Sequence, residues 1–552
     1  MGNIYKEGIN RKQQIFFPPS IDEYVSKDNQ ARAIEDYVEL LDTAELGFTN
    51  ASLNSADGQP AYHPRLLLKI YIYGYLNKVR SSRKLEQEID RNIEMMWLCA
   101  GLKPRYKTIA NFRKDNTASL KKVFREFVLL CRDLELIEGK LLAVDGAFLR
   151  ANASKNQLIT KKFVKQNLEK IDKKIKEYLQ ALSFSDKEEK KDRALKPLPT
   201  NNLPRMKLKK EKLDKDLALL EEMGVTQYNR TDPDAQLMSK PAHNLMAYNA
   251  QIVVDDKFKF IVATDISSEG NDSHQLHHMA KQAKEIVQND ELVVTGDKGY
   301  FNAEEIKKCI DDGIDTVVPK TNTGQVQGAK GKFGKDRFTY DKLSGSYICP
   351  GNHHLIFTGA ITKRGDKVYH YYRVSNKICK SCPLKEQCLS KTKSKTILRY
   401  KYADMIDEYK EKMETDESKN IIKKRGSIVE HPFGTTKQNL GWSHYLVRGT
   451  QKVSGENALI MFSYNFRRLL NLIGTTLFRK LIIAIKEGNM DAIREEIEAY
   501  IAHLWYIWVN LVLKFWKMMF LRRKFGNNLD DVGLRVCFCT VSTASPASEC
   551  LA

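Results

Sequence analysis

Leu141-Leu142-Ala143-Val144-Asp145-Gly146 decides how this chain folds. Its apolar run reads as a buried strand that ends at Asp145. A second such run, Leu292-Val293-Val294-Thr295, leads into Gly296-Asp297-Lys298-Gly299-Tyr300. A third acid stands in Ile428-Val429-Glu430-His431-Pro432-Phe433-Gly434, a segment that reads as helix. Asp297 follows Asp145 by 152 residues and Glu430 follows Asp297 by 133, so only a fold could bring the three together. Two carboxylates at strand ends and one from a helix can hold a pair of divalent cations about 3.5–4 Å apart, the arrangement that serves phosphodiester chemistry. One strand-terminal Asp by itself is more often a turn or helix cap. The weight rests on the three jointly.

Beyond Asp145, strand patterns return at 247–254 and 258–264. A helix over 273–287, the strand into Asp297, a helix over 303–311 and a short strand at 316–318 follow. This order predicts an α/β mixed fold around a ribonuclease-H-like mixed sheet. Asp265, Glu269 and Asp272, near the end of the third strand, are competing acids, and Asp272 is a candidate to support the site from behind. A Lys-rich insertion, 155–230, splits the first connection. Within it Val164, Leu168, Ile171, Ile175, Tyr178 and Leu182 recur at helical spacing, as do Met206, Leu213, Leu217 and Leu220, with Pro197, Pro199 and Pro204 between. That pattern predicts a helical hairpin of coiled-coil character.

Upstream, 64–116 reads as all-helical. His63-Pro64 starts one helix, a second runs over 82–98 with Leu85, Ile89, Ile93 and Trp97 on one face, and Thr108 caps a third. Arg105, Arg113 and Lys114 are among the basic residues framing the turn, so a helix-turn-helix-like DNA-binding unit is expected. An ordinary bundle with a basic surface is the bland alternative. The net charge of +21 favours a polyanionic partner.

At 552 residues the chain exceeds a single core. Its pattern divides into a lead-in (1–60), a helical DNA-binding unit (61–135), a catalytic sheet domain (136–320 and 400–472), a Cys-rich insertion (321–399) and an appendage (473–552). Cys379-Lys380-Ser381-Cys382 has the spacing of a metal knuckle and Cys388 follows. Cys349, or His353 or His354 beside it, could complete a structural zinc site; reduced thiols in a loop domain are the alternative. No apolar leader opens the sequence, so a cytoplasmic, nucleoid-associated protein is expected. The apolar segment 501–521 carries His503, Asn510, Lys514 and Lys517, which are costly in a bilayer. It is expected to be a buried or subunit-contact helix.

Four motifs share one register: Leu142-Ala143-Val144-Asp145-Gly146; Thr231-Asp232-Pro233-Asp234-Ala235 with Tyr248-Asn249-Ala250-Gln251; Gly296-Asp297-Lys298-Gly299-Tyr300; and Glu430-His431-Pro432-Phe433-Gly434-Thr435-Thr436-Lys437. Together they resemble the DDE transposases of bacterial insertion sequences. The resemblance implies that Asp145, Asp297 and Glu430 are catalytic and bind Mg²⁺ or Mn²⁺. It also implies water-driven cleavage at transposon ends, followed by attack of the released 3′-hydroxyl on target DNA. The implied partner is double-stranded DNA, both inverted-repeat ends and target, bound by a homodimer with no membrane involved. In the related tyrosine–arginine–glutamate–lysine signature a DNA-contacting Lys stands seven residues after the Glu, at Lys437. The signature's Arg would fall at Gly426, one place from Arg425, and no Tyr matches. A decayed transposase or regulator that binds DNA without cleaving it is the competing reading, prompted by the irregular tail after Thr475.

Overall fold

Asn29 accepts a hydrogen bond from Ala31 N at 2.8 Å and so caps α1 (Gln30–Leu40). The computed structural model describes residues 20–51, 60–189, 203–239, 244–320, 332–365, 367–390 and 392–525. Next, α2 (Pro64–Leu76) starts as expected: His63 is its N-cap, and Pro64 occupies a first-turn position where a missing N–H costs nothing. The single helix expected over 82–98 is instead two, α3 (Ser82–Arg91) and α4 (Ile93–Leu98). Asn92 adopts an extended backbone between them and its side chain accepts from Glu94 N at 3.0 Å, restarting the helix. Leu85 and Ile89 are consequently buried while Ile93 is 39% exposed. Thr108 does not cap α5 (Tyr106–Asp115) but lies inside it, because the extended Arg105 takes the N-cap position. Then α6 (Thr117–Asp133) buries Leu120, Phe124 and Phe127, the last set edge-on to Tyr37 at 5.4 Å.

The strand expected to end at Asp145 runs on as β1 (Leu141–Arg150). Its antiparallel partner, 244–255, pairs it without interruption from Leu142↔Asp255 to Arg150↔Ala247. Asp145 therefore sits mid-strand. The inserted hairpin follows: β2 (Leu158–Thr160), α7 (Lys161–Glu189), α8 (Leu203–Glu222) and β3 (Gln227–Asn229), with β2 and β3 pairing to clasp its base. Val164, Ile171, Leu213 and Leu220 form its core, with Leu168, Ile175 and Leu217 packed against them, as their spacing predicts. Pro197 and Pro199 lie outside the described residues. The sheet then continues with β4 (Gln236–Ser239), β5 (Asn244–Asp255), β6 (Ile261–Ser267), α9 (Leu276–Val287), β7 (Val293–Thr295), α10 (Ala303–Asp311) and β8 (Asp315–Val317). Its order is β4-β5-β1-β7-β8, with β6 also on β5. The ladders are antiparallel among β1, β4, β5 and β6 and parallel across β1, β7 and β8.

A five-stranded antiparallel sheet forms the next module, from β9 (Thr339–Asp341), β10 (Ser346–Ile348), β11 (His354–Arg364), β12 (Lys367–Arg373) and β13 (Thr396–Tyr400). The short helices α11 (Asn376–Ser381) and α12 (Lys385–Cys388) interrupt it. After α13 (Ala403–Met413), α14 (Asp416–Gly434) packs across β1, β5, β7 and β8. The chain divides into two compact units, Met1–Leu469 and Leu470–Ala552. Helix α15 (Thr450–Glu487) carries a non-helical Gly474, and α16 (Met490–Phe525) follows. Of the buried or subunit-contact helix expected at 501–521, burial within the chain is corrected, since Trp505, Trp508 and Trp516 are 58%, 58% and 70% exposed. Among the described residues no helix is long and apolar enough to cross a membrane.

Candidate active site

Strand β7 pairs with β1 only at Leu141↔Val293, Leu142↔Val294 and Ala143↔Thr295. Asp145 lies two residues beyond the last pair on β1 and Asp297 two residues past the end of β7, and the charge of Asp297 is felt at Asp145. The exit is tight. A Cβ on Gly296 would lie 3.0 Å from Val144 Cγ1. Asp297 then caps the short turn that follows, its Oδ1 accepting from Gly299 N at 2.7 Å.

On β5, the alternation of Asn249 and Gln251 puts two amides on one face. Both donate to Asp272 Oδ1, at 2.7 and 2.6 Å, and the Tyr300 hydroxyl donates to Gln251 Oε1. This network lies directly over Gly146: a Cβ there would come within 2.6 Å of Asp272 Oδ1 and 2.5 Å of Gln251 Nε2. Any side chain here would require those amide and carboxylate ends to shift. Asn249 Oδ1 is buried with no hydrogen-bond partner among the described residues.

Burial pushes the Asp145 carboxyl up to about 6. Arg425 on α14 and the Gly146 N–H, 3.0 Å from Asp145 Oδ1, pull it down, while the charges of Asp297 and Asp272 add to the rise. Three carboxylates and one guanidinium thus share one electrostatic environment. Arg425, one place off the signature position, is the basic residue of α14 that acts on Asp145.

Glu430 lies on the same helix but its side chain is not drawn into this group. It is exposed, and its Oε1 lies 3.6 Å from where a Cβ on Gly426 would stand, one turn back along α14. Among the described residues no three His, Cys, Asp or Glu side chains are gathered so as to hold a metal ion. His431 is fixed structurally, its Nδ1 2.8 Å from the Tyr464 hydroxyl. Lys437, in a π-helical turn after α14, places its ammonium 5.0 Å from the centre of the Phe433 ring. Asp232 and Asp234 hold the start of α15, Asp232 Oδ1 accepting from Gly449 N at 3.1 Å and Asp234 Oδ2 from Thr450 N at 2.7 Å.

Of the basic residues expected on DNA in the helical unit, Arg105 is exposed and 3.4 Å from Glu86, and Lys114 is exposed and 3.3 Å from Asp115. Arg113 is buried. Its guanidinium bonds the Tyr75 hydroxyl at 2.9 Å and lies 3.5 Å from the fully buried Glu456. A charge enclosed in this way holds α5 to α15 and offers nothing at the surface.

Cys349, Cys379, Cys382 and Cys388 all line one cavity of about 30 Å³ beneath Phe333, Phe338 and Leu389. All four are free thiols. The Cys349-to-His353 turn folds its chain back on the sulfur: His353 N donates to Cys349 Sγ at 3.4 Å. A Cβ on Gly351 would lie 3.7 Å from Cys349 Sγ and 3.5 Å from Cys382 Sγ. Burial raises the Cys388 thiol pKa, and of the charged neighbours Lys395 lowers it while the other three cysteines raise it.

Residues 19–115 match a family described as a transposase domain (DUF772), and residues 348–470 match one described as a transposase DDE domain. Both matched segments are thus similar to transposase families, the second of them of DDE type. The second match spans the cysteine module and the whole of α14, and so contains Glu430 and Lys437. A synaptic complex of piggyBac transposase with hairpin DNA is also similar at 10% identity, over 85% of this chain and 82% of that one. Its TM-score of 0.27 is too low to carry an argument. No curated protein matches this chain.

Asn249, Gln251 and Tyr300 stand within the sequence motifs, but their contacts to Asp272 and to one another are seen only in the structure. The period-2 placement of two amides in an otherwise apolar strand was the available signal.

Proposed function

We propose that this chain is a transposase that cleaves the ends of its element in a metal-dependent reaction and joins the released 3′-hydroxyl to target DNA, with Asp145, Asp297 and Glu430 as its acids. The observation that supports the reading is the electrostatic coupling of Asp145 to Asp297, two carboxylates 152 residues apart in sequence that follow the paired strands β1 and β7. The sheet order, antiparallel on one side of β1 and parallel on the other, supports a ribonuclease-H-like scaffold. Asp145 and Asp297 repel one another beside an orphaned amide oxygen, and with no three such side chains gathered among the described residues, Mg²⁺ or Mn²⁺ would be held only once Glu430 joins them. Such ions would supply a water of lowered pKa and neutralise charge on the phosphate. Asp272 acts as a positioning residue: anchored by two amides, it holds Gln251 and Tyr300 against the β1–β7 edge. Glu430 reaches the site by turning its carboxylate away from Gly426. In the first step water forms a bond to phosphorus and the 3′-oxygen leaves; in the second that 3′-hydroxyl attacks a target phosphodiester and displaces its 3′-oxygen.

Lys437, Arg425, Arg105 and Lys114 are the proposed DNA contacts. A dimer would engage both ends of the element. The four cysteines would hold a structural Zn²⁺ in this reading: they line one cavity, although among the described residues no three of them are gathered so as to hold a metal in this structure. The position of Glu430, outside the group formed by Asp145 and Asp297, favours a second reading: a protein that binds ends without cutting them. Incubation with DNA carrying the element's ends distinguishes them. The first reading requires 3′-hydroxyl products and joined products in Mg²⁺ and none with a chelator; binding without either product supports the second.

A further inference from the structure

Five residues beyond Asp145 the same strand ends at Arg150, in a cleft of about 730 Å³. Its wall is built by a parallel bridge between Arg150 and His444. Arg150 N donates to Ser443 O at 3.3 Å and Tyr445 N donates to Arg150 O at 2.9 Å. Arg448 closes the cleft by donating Nε to Asn152 O at 3.0 Å, while Asn152 Nδ2 donates to Leu446 O at 2.7 Å. Lys155 completes the lining with Ser154 and Thr231.

The lining holds two arginines, a lysine and a histidine, and no carboxylate. Arg150, Lys155 and Arg448 are exposed, and among the described residues none is within ion-pair distance of an acid. That sets them apart from Arg105 and Lys114. The potential here is positive enough to be felt by a neighbour: burial lowers the His444 pKa, and Arg80 and Arg150 lower it further against the opposing pull of Glu456. Uncompensated cations in a polar cleft of this size suit a phosphate backbone.

We propose that this cleft grips the phosphate backbone of the duplex whose scissile bond lies at Asp145. The proposal rests on the active-site reading given above. A strand advances about 3.3–3.4 Å per residue, so the cleft lies roughly 17 Å from Asp145 along β1. At about 3.4 Å of duplex axis per base pair, this is an axial advance of about five base pairs from the cut. One continuous strand would then set the spacing between the reacting phosphate and an anchoring one.

The test is DNA binding by the full-length protein with Arg150→Gln, Lys155→Gln and the pair combined, measured against salt by fluorescence anisotropy with duplex end DNA. Each substitution is expected to lower the magnitude of the salt slope by about one, and the pair by about two, so that between 50 and 200 mM salt the wild type loses about threefold to fourfold more affinity than the variant for each charge removed. Neutral methylphosphonates scanned along each strand should weaken wild-type binding about five base pairs from the cut and should not weaken the paired variant further. Unaltered slope and affinity in the paired variant, with its thermal transition intact, would overturn the proposal. Arg448→Gln is a second variant, since its bond to Asn152 makes it the one whose folding needs checking. Asp145→Asn separates the two readings: it should bind with the wild-type salt slope. If it still cuts, the active-site reading fails whatever the cleft variants do.

Discussion

Asp145→Asn removes one negative charge from a half-buried cluster that also feels Asp297 and Asp272. The Asp145 pKa is raised from 3.8 to about 6. A folded-state pKa above the unfolded value means that ionising the group costs stability. The cost is absent below the unfolded value, grows as pH rises between the two, and is complete above about 6. Two units correspond to about 3 kcal/mol, and residual solvent access brings the expected effect to about 1–3 kcal/mol. Asn keeps an oxygen to accept the Gly146 N–H, so the local backbone has no reason to move. The metal-free Asn variant should therefore be more stable than wild type at pH 8 and equal to it at pH 4. Because the chain has more than one unit, hydrogen exchange at the β1 amides is a better readout than a global melt. Adding Mg²⁺ should then protect wild type and leave the variant unchanged. Equal protection at pH 8 in chelator, or equal gains with Mg²⁺, would refute the electrostatic account of the site.

Gly146→Ala should disrupt the Asp272–Gln251–Asn249 network, because its methyl group would stand 2.5–2.9 Å from those side chains; cleavage should fall sharply while end binding persists in a filter assay. Arg113→Ala should destabilise the protein by about 3–5 kcal/mol in urea unfolding by leaving Glu456 buried and unpaired, whereas Arg105→Ala should weaken DNA binding with no change in unfolding. The purified protein should contain one zinc per chain by elemental analysis, and Cys382→Ser should lose it together with protease resistance of residues 332–400; a full complement of metal in that variant would remove the zinc site.

What was legible in the sequence was what local pattern controls. The runs before Asp145 and Asp297 are strands because they are apolar and short, and the hairpin core follows from Val164, Ile171, Leu213 and Leu220 at helical spacing. The misreadings came where a distant partner decides. Asp145 looked like a strand end because the apolar run stops there, yet pairing with β5 carries the strand to Arg150. The short strands β2, β3 and β4 have too few residues to show a period and exist through their partners. Arg113 has the spacing of a surface residue on a basic helix, but Glu456, more than 300 positions away, takes it into the core. Asn92 divides a helix whose apolar spacing continues through it, because its side chain serves the next helix as a cap. Of the three acids the sequence offers, Asp145 and Asp297 share one electrostatic environment while the Glu430 side chain stands apart; the role of Asn249 and Gln251 is not legible because it arises only once Asp272 is folded onto them.

The central claim is that Asp145, Asp297 and Glu430 act as one site. The most direct measurement is Mg²⁺-dependent cleavage of labelled end DNA by Asp145→Asn, Asp297→Asn and Glu430→Gln, with binding of the same DNA followed in parallel. The account predicts that all three lose cleavage to background and keep wild-type affinity. Cleavage surviving in Glu430→Gln would contradict the triad, and cleavage surviving in Asp145→Asn would contradict the site itself.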